Sequence, residues 1–477
     1  MNGKVSNKVL LKWFIKEEYR VFETLFGGKR LLMFPVTLFV LSILLGASIP
    51  AFGLSAELSA AVMMVLVGLF GLQTGSIGFE ARDTLDNLMG DSERILFSSR
   101  TLPISQKRLA GLFLLKDAIV YSTFMILPIY IGVIVGLAAS PFATSVTAIG
   151  LSGFGLSYLL VILSFLFGVS AGFVMTTVTY KSLKGLASMF VMLAVIAPIA
   201  YMGYSSPSVF IDSGSLTIGL LMIIGTVTFT LIGLWQFNIT NSKNKKSSHS
   251  NILGYLSNNI TVSARAQIMI KTMLDVVRSP GGLWKIIFST GVISMTIVFL
   301  VQIVKQVMVT GISPSFLYAS LFSLAVFPIY TLVYRYDSNT YYSSYPITER
   351  DVKFAKSATY VVLSLLVVGS YYTVATVTYG IDVFSYVTGL FVLVSLIVYQ
   401  LGVFLLVAKD EPLKFLFNGM MFSGYSASLL LVMIPLTMVG LYGAAIPAVI
   451  TRIALAVCGF CFVAGGLLSG FAVRSEG

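Results

Sequence analysis

Leu102-Pro103-Ile104-Ser105-Gln106-Lys107-Arg108 stands in a charged stretch just ahead of a long apolar run. Further along, Tyr345-Pro346-Ile347-Thr348-Glu349-Arg350-Asp351 stands in the same setting. Each is followed by a lysine at the mouth of the next apolar run: Lys116-Asp117-Ala118 in the first copy, Lys356-Ser357-Ala358 in the second. Proline stops a helix. A following Ser or Thr starts a new one, because its side-chain oxygen can accept from the free N–H groups of the first turn. Ser105 and Thr348 are therefore expected to cap the helices that enter the next apolar runs. Two copies of one helix start in matching positions predict two related halves in a single chain, with both copies on the same side of a membrane. The spacing from proline to lysine differs, thirteen residues in the first copy and ten in the second.

Composition supplies the membrane. Hydrophobic residues make up 57% of the chain and charged residues 10%, with a mean hydropathy of +0.93. A soluble domain carries about a quarter charged residues. The apolar runs are continuous and do not alternate, which fits helices crossing a hydrocarbon core of about 30 Å and not strands of a barrel. A helix also satisfies its own backbone groups in lipid. Spans are predicted near 31–49, 57–79, 113–138, 146–178, 186–204 and 216–238, then near 286–304, 314–334, 357–379, 383–408, 415–439 and 444–468. The run at 146–178 is too long for one straight crossing and implies tilt or an extension beyond the bilayer. The expected fold is all-α: a polytopic membrane protein of about 12 helices. An even number of spans per half gives both halves one orientation, so they are expected as parallel repeats.

The net charge of +12 is distributed as a topology signal. Of 31 Lys and Arg, seven precede the first span, six lie in 80–116 and two in 181–184. Seven more lie in 239–285, four in 335–356, two in 409–414, and Arg474 near the end. Only Lys305 and Arg452 fall elsewhere. The positive-inside rule then puts both termini and every long loop in the cytoplasm of a cell-membrane protein. Basic loops of this kind attract anionic lipid, and no nucleic acid partner is implied. The first residues have mixed charge and precede a run long enough to span, unlike a cleaved signal peptide.

Residues 1–238 form the first expected half, 239–262 a polar cytoplasmic linker, and 263–477 the second half. The linker contains Asn241-Ser242-Lys243-Asn244-Lys245-Lys246 and lacks the apolar content for a core. Asn238-Ile239-Thr240 and Asn259-Ile260-Thr261 match a glycosylation acceptor but fall on the cytoplasmic side of this topology. Each half opens with an amphipathic segment. In the first, Leu10, Phe14, Val21 and Leu25 recur at helical spacing among Lys8, Lys12, Lys16, Arg20 and Glu23, and Gly27-Gly28 ends the segment. In the second, Ile268, Met269, Met273 and Val276 alternate with Arg265, Lys271 and Asp275 before Gly281-Gly282. Such helices are expected to lie in the interface plane with the apolar stripe in the acyl boundary.

No catalytic constellation stands out, and the chain is not expected to be an enzyme. Its single histidine, His249, sits in the linker, and no GxxxxGK[ST] phosphate-cradling loop occurs. Cys458 and Cys461 lie inside the last span, where they are expected as small packing residues and not as a metal or redox pair. Neither cofactor nor metal is expected on this chain. Arg452, inside the last span, is the one candidate intramembrane functional charge, with snorkelling to the nearby loop as the simpler role. Lys116-Asp117 at the inner edge of the third span is expected to stay wet or to pair with the preceding loop. Glu57 marks an outer edge. No carboxylate falls near a midplane, which weighs against a proton- or sodium-coupled carrier. Glycines four apart, Gly132 and Gly136, Gly168 and Gly172, and Gly466 and Gly470, are expected to allow close helix packing.

The charged stretch 80–112 and its counterpart 335–356 carry the remaining signal. Glu93, Arg94, Leu102, Pro103, Ile104, Ser105, Lys107, Arg108 and Lys116 in the first, and Tyr345, Pro346, Ile347, Thr348, Arg350 and Lys356 in the second, follow one pattern. An amphipathic helix, a six-span core and such a loop between the second and third spans together resemble the membrane subunit of an ABC exporter of the type-2 permease class. The resemblance implies a transport permease driven by separate ABC-type ATPase subunits, which would hold the ATP and Mg. It implies that those subunits dock on the two loops, at Glu93, Arg94, Pro103, Ser105, Lys107 and Arg108, and at Pro346, Thr348, Glu349 and Arg350. Many members have six spans and dimerise, so one fused chain would supply both halves. Two other readings remain: a secondary active transporter with twelve spans, and a non-transporting membrane scaffold. The transported substrate is not legible from these residues.

Overall fold

The computed structural model describes residues 6–26, 33–48, 56–75, 105–139, 151–179, 214–236, 264–278, 282–307, 313–335, 347–408, 419–441 and 448–474. Among the described residues every regular element is a helix and there is no strand. Among the described residues seven helices are long and apolar enough to cross a membrane: Lys107–Ala139, Ser157–Met175, Pro314–Tyr334, Glu349–Thr378, Val383–Val407, Gly424–Leu441 and Ile450–Ser469. Shorter apolar helices run over Val62–Gly75, Gly219–Trp235 and Ile286–Gln302. The chain is thus all-helical, with the helices of a multi-pass membrane protein. The span expected at 186–204 and the linker at 239–262 lie outside the described residues.

The chain divides into two compact units, Met1–Asn244 and Lys245–Gly477. The first unit contains α1 (Asn7–Phe26), α2 (Met33–Ser48), α3 (Ala56–Gly75), α4 (Gln106–Tyr121), α5 (Leu127–Ala139), α6 (Leu151–Thr179) and α7 (Gly214–Gln236). A π-helical turn at Ser122–Ile126 joins α4 to α5 without a break. Pro128 accounts for it. Proline has no N–H for the carbonyl one turn back and its ring crowds that carbonyl, so the helix widens locally. Inside this unit α1 packs on α4, α2 on α5, α3 on α6, and α6 on α7.

Glycines set two of those contacts. A methyl group at Gly136 would run into the Ile43 carbonyl of α2, and one at Gly132 would stand 2.5 Å from the Phe39 carbonyl. A methyl at Gly168 would meet the Gly68 carbonyl of α3, and one at Gly172 the Leu72 carbonyl. Backbone therefore lies against backbone along α2–α5 and α3–α6, as small residues permit. Buried Phe165 stacks on Phe70 at 5.9 Å in the core between α3 and α6.

The second unit contains α8 (Ala264–Arg278), α9 (Gly282–Val307), α10 (Pro314–Phe322), α11 (Phe327–Arg335), α12 (Glu349–Thr378), α13 (Val383–Ala408), α14 (Gly419–Leu441) and α15 (Ala448–Arg474). A 3₁₀ turn at Ser323–Val326 links α10 to α11 just before Pro328, for the same steric reason as Pro128. Here α8 packs on α12, α9 on α12, α10 on α13, and α13 on α15. The core is aromatic. Tyr330 stacks on Phe404 at 4.2 Å, Phe404 stacks on Tyr425 at 4.5 Å, and Tyr360 meets Tyr330 edge-on at 5.9 Å. Offset and edge-on rings fill volume with well-defined geometry, each pair adding about 1 kcal/mol beyond the area buried.

One glycine expectation needs correction. Gly466 does not serve a close contact, since nothing lies within 4 Å of a Cβ placed there. The glycine at the α13–α15 contact is Gly465, whose added Cβ would stand 2.5 Å from the Val398 carbonyl. The pattern of glycines four apart misses it because the contact is made with Gly402 on the other helix, not with a second glycine on the same helix.

Candidate functional site

The two helix starts become comparable clamps. In the first unit α4 begins at Gln106, with Ser105 in extended backbone as the capping residue. Its carbonyl accepts from the Leu109 N–H at 3.2 Å, but its side chain makes no capping hydrogen bond. In the second unit Thr348 takes the same extended conformation ahead of α12, and here the cap is complete. The Asp351 N–H donates to Thr348 Oγ1 at 3.3 Å, and Thr348 Oγ1 donates to Asp351 Oδ2 at 2.6 Å. Thr-x-x-Asp supplies a carboxylate three residues on, a variant of the Ser/Thr-x-x-Glu capping box, and Ser105 has Arg108 in that place.

Each start is held by the amphipathic helix of its own unit. Leu10 and Phe14 of α1 are buried against Leu109 and Leu112 of α4, and Phe14 meets Phe113 edge-on at 6.4 Å. Arg108 Nε donates to Asn7 Oδ1 at 2.5 Å. In the second unit Ile268 of α8 is buried against Val352 and Ala355 of α12, with Met269 and Ile347 packed alongside. Arg265 Nε donates to Asp351 Oδ1 at 2.6 Å, and the guanidinium lies over the Phe354 ring at 5.2 Å. Each clamp thus combines an apolar contact with an arginine hydrogen bond, although the arginine comes from the capped helix in one unit and from the amphipathic helix in the other.

For Leu10 and Phe14 this corrects the expected placement in the acyl boundary, while the side chains of Val21 and Leu25 lie outside the described residues. Leu10 and Phe14 face α4 and not the acyl boundary, because α4 presents a matching apolar face of Leu109 and Leu112 in its first two turns. Burying a Leu or Phe side chain contributes about 2 kcal/mol relative to leaving it in water. Lys116 is corrected as well. It is only 3% exposed, its ammonium lies 2.9 Å from the Asp117 carboxylate and 4.0 Å from the Phe113 ring centre. A charge this buried needs such partners. Lys356, 4% exposed, reaches toward the Tyr334 ring at 5.8 Å, and Lys353 one turn earlier is also buried. Both lysines that follow the helix starts are thus inside their units.

Of the predicted docking residues, Ser105 and Lys107 are exposed beside half-buried Arg108, and Thr348, Glu349 and Arg350 form an exposed first turn of α12. Glu93, Arg94, Pro103 and Pro346 lie outside the described residues. Arg452 is exposed on α15, far along the chain from either helix start. Cys458 and Cys461 are buried and unbridged in the core of the second unit. Among the described residues no group of His, Cys, Asp or Glu is placed to hold a metal ion. The sequence reading passed over Asn7, Arg265 as a clamp, and Asp351 as the cap's partner. Only Asp351 had a legible signal, its position three residues after Thr348.

A polar contact inside the second unit was also passed over. Gln400 Nε2 donates to Ser323 Oγ at 3.1 Å at the 3₁₀ turn, and Gln302 Nε2 donates to Tyr318 Oη at 3.0 Å. Gln400 Oε1 is buried without a partner. Comparison with family models, with curated proteins and with solved structures finds no match.

Proposed function

We propose that the chain is the membrane permease of an ATP-driven transporter, with two six-span halves fused as parallel repeats and both termini in the cytoplasm. The observation that carries this reading is the recurrence of the clamp. In each unit an amphipathic helix is fastened to the first turns of the helix that follows a Pro-Ile-Ser/Thr start. The wider packing order supports the repeat: α2–α5, α3–α6 and α6–α7 in the first unit have counterparts in α9–α12, α10–α13 and α13–α15 in the second, each pair joining the expected spans of the same rank. Separate ATPase subunits would dock on 80–112 and 335–356. A clamp suits that task, because a push on the loop is passed to both the interfacial helix and the third span as one body.

The test is co-purification. The tagged chain, extracted from its own host's membranes, should bring down a soluble nucleotide-binding ATPase. Charge reversal at Arg94, Lys107 and Arg350 should abolish that association. Association that persists in the triple variant removes the docking surface. Gradient-driven flux by the chain alone in vesicles would favour a secondary carrier, and no flux under either energy source would leave a scaffold.

A further inference from the structure

With Leu10 and Phe14 committed to α4, α1 still presents a second face. Val9, Trp13, Lys16 and Arg20 follow one another at helical spacing and are all exposed, Trp13 by 47%. Lys8, Lys12 and Tyr19 flank that row and are exposed too. Two acidic residues stand by this face, Glu17 four residues after Trp13 and Glu23 three after Arg20, against the four basic residues Lys8, Lys12, Lys16 and Arg20, so it stays net basic.

The depth of this face is set by what α1 is fastened to. Leu109 and Leu112 lie in the first two turns of a continuous helix whose candidate span, Lys107–Ala139, has 33 residues. At 1.5 Å per residue that is about 50 Å, against a hydrocarbon core of about 30 Å. Its first turns therefore pass the hydrocarbon edge into the headgroup layer, and α1 is clamped there. The first apolar helix of the unit begins at Met33, soon after α1 ends at Phe26, which keeps α1 near the bilayer from its other end as well.

We infer that the Trp13 face of α1 binds the headgroup layer of a bilayer rich in anionic lipid. Trp and Tyr favour the headgroup level, where an apolar ring and a polar edge are both satisfied. Lysines on a helix at that level are attracted by an anionic surface. The counterpart α8 does not repeat the feature: it has no aromatic residue, and Lys271 is engaged by Asp275 at 3.3 Å. Of the two amphipathic helices, lipid recognition is thus assigned to α1. The inference rests on the apolar helices spanning a bilayer but not on an ATPase partner.

The test uses the full chain with Trp235→Phe and Trp284→Phe, leaving Trp13 as the only tryptophan. It is reconstituted in nanodiscs of phosphatidylcholine with brominated acyl chains, with and without phosphatidylglycerol. Trp13 emission should be quenched, and the quenching should deepen when phosphatidylglycerol is present. Lys8→Gln, Lys12→Gln and Lys16→Gln together should lose that deepening while elution profile and thermal midpoint hold, and the three Lys→Arg changes should restore it. Absent quenching, or quenching indifferent to anionic lipid, overturns the inference. So does shielding of Trp13 that develops only on adding a soluble ATPase, which would make the face a protein contact.

Discussion

Thr348 and Ser105 hold the same place in two copies of one motif, yet only Thr348 makes its side-chain cap. Thr348→Ala should cost about 1 kcal/mol, and Ser105→Ala a few tenths at most. Thermal unfolding of each purified variant reads the difference; equal losses would show that the motif caps both helices alike. Gln400 offers a contrasting case. Replacing it by Leu removes a buried acceptor that has no partner, and Ser323 keeps its bond to the Ser320 carbonyl at 2.6 Å. Gln400→Leu should therefore leave stability unchanged or raise it, by the asymmetry between unmade and absent hydrogen bonds. A stable variant without transport would assign Gln400 a working role; a marked drop in thermal midpoint would show instead that the Ser323 contact holds the 3₁₀ turn.

At the scale of elements, the close contacts and the clamps make separate predictions. Gly136→Leu should force α2 from α5, and Gly168→Leu should force α3 from α6, each costing about 1–3 kcal/mol or more. Gly466→Leu should be tolerated, since that position is open. Proteolytic protection of the detergent-solubilised chain would rank the three. Leu10→Ala and Ile268→Ala, one in each clamp, should each cost about 2–3 kcal/mol. Much of this architecture was legible. Continuous apolar runs gave the helices, and the described helix limits fall within a few residues of most predicted spans; α4 begins earlier, at Gln106, because the polar start is part of the same helix. The site was legible only in part. Hydrophobic periodicity reveals that α1 has an apolar stripe, but lipid and a neighbouring helix both select the same stripe. Only the position of Leu109 and Leu112 decides between them. Burial of Lys116 was hidden for a similar reason: a lysine next to an aspartate reads as solvated until Phe113 is placed beside it.

For the whole molecule, the proposal is that one chain supplies two permease halves and borrows its energy from a partner. Each unit on its own fastens an amphipathic helix to the helix that follows the recurring motif, and the proposal assigns one docked subunit to each. The first clamp has an uncapped serine and a lipid-reading face; the second has a full Thr348–Asp351–Arg265 cluster. Such asymmetry predicts that the two docking sites differ in strength, with the second held more rigidly at its first turn. The most direct measurement is ATP hydrolysis and substrate flux in vesicles holding the chain with and without the ATPase that co-purifies with it. A permease of this kind should show flux only when ATPase and ATP are both present, lost on charge reversal at Arg94, Lys107 and Arg350. Flux driven by an ion gradient through the chain alone would contradict that reading.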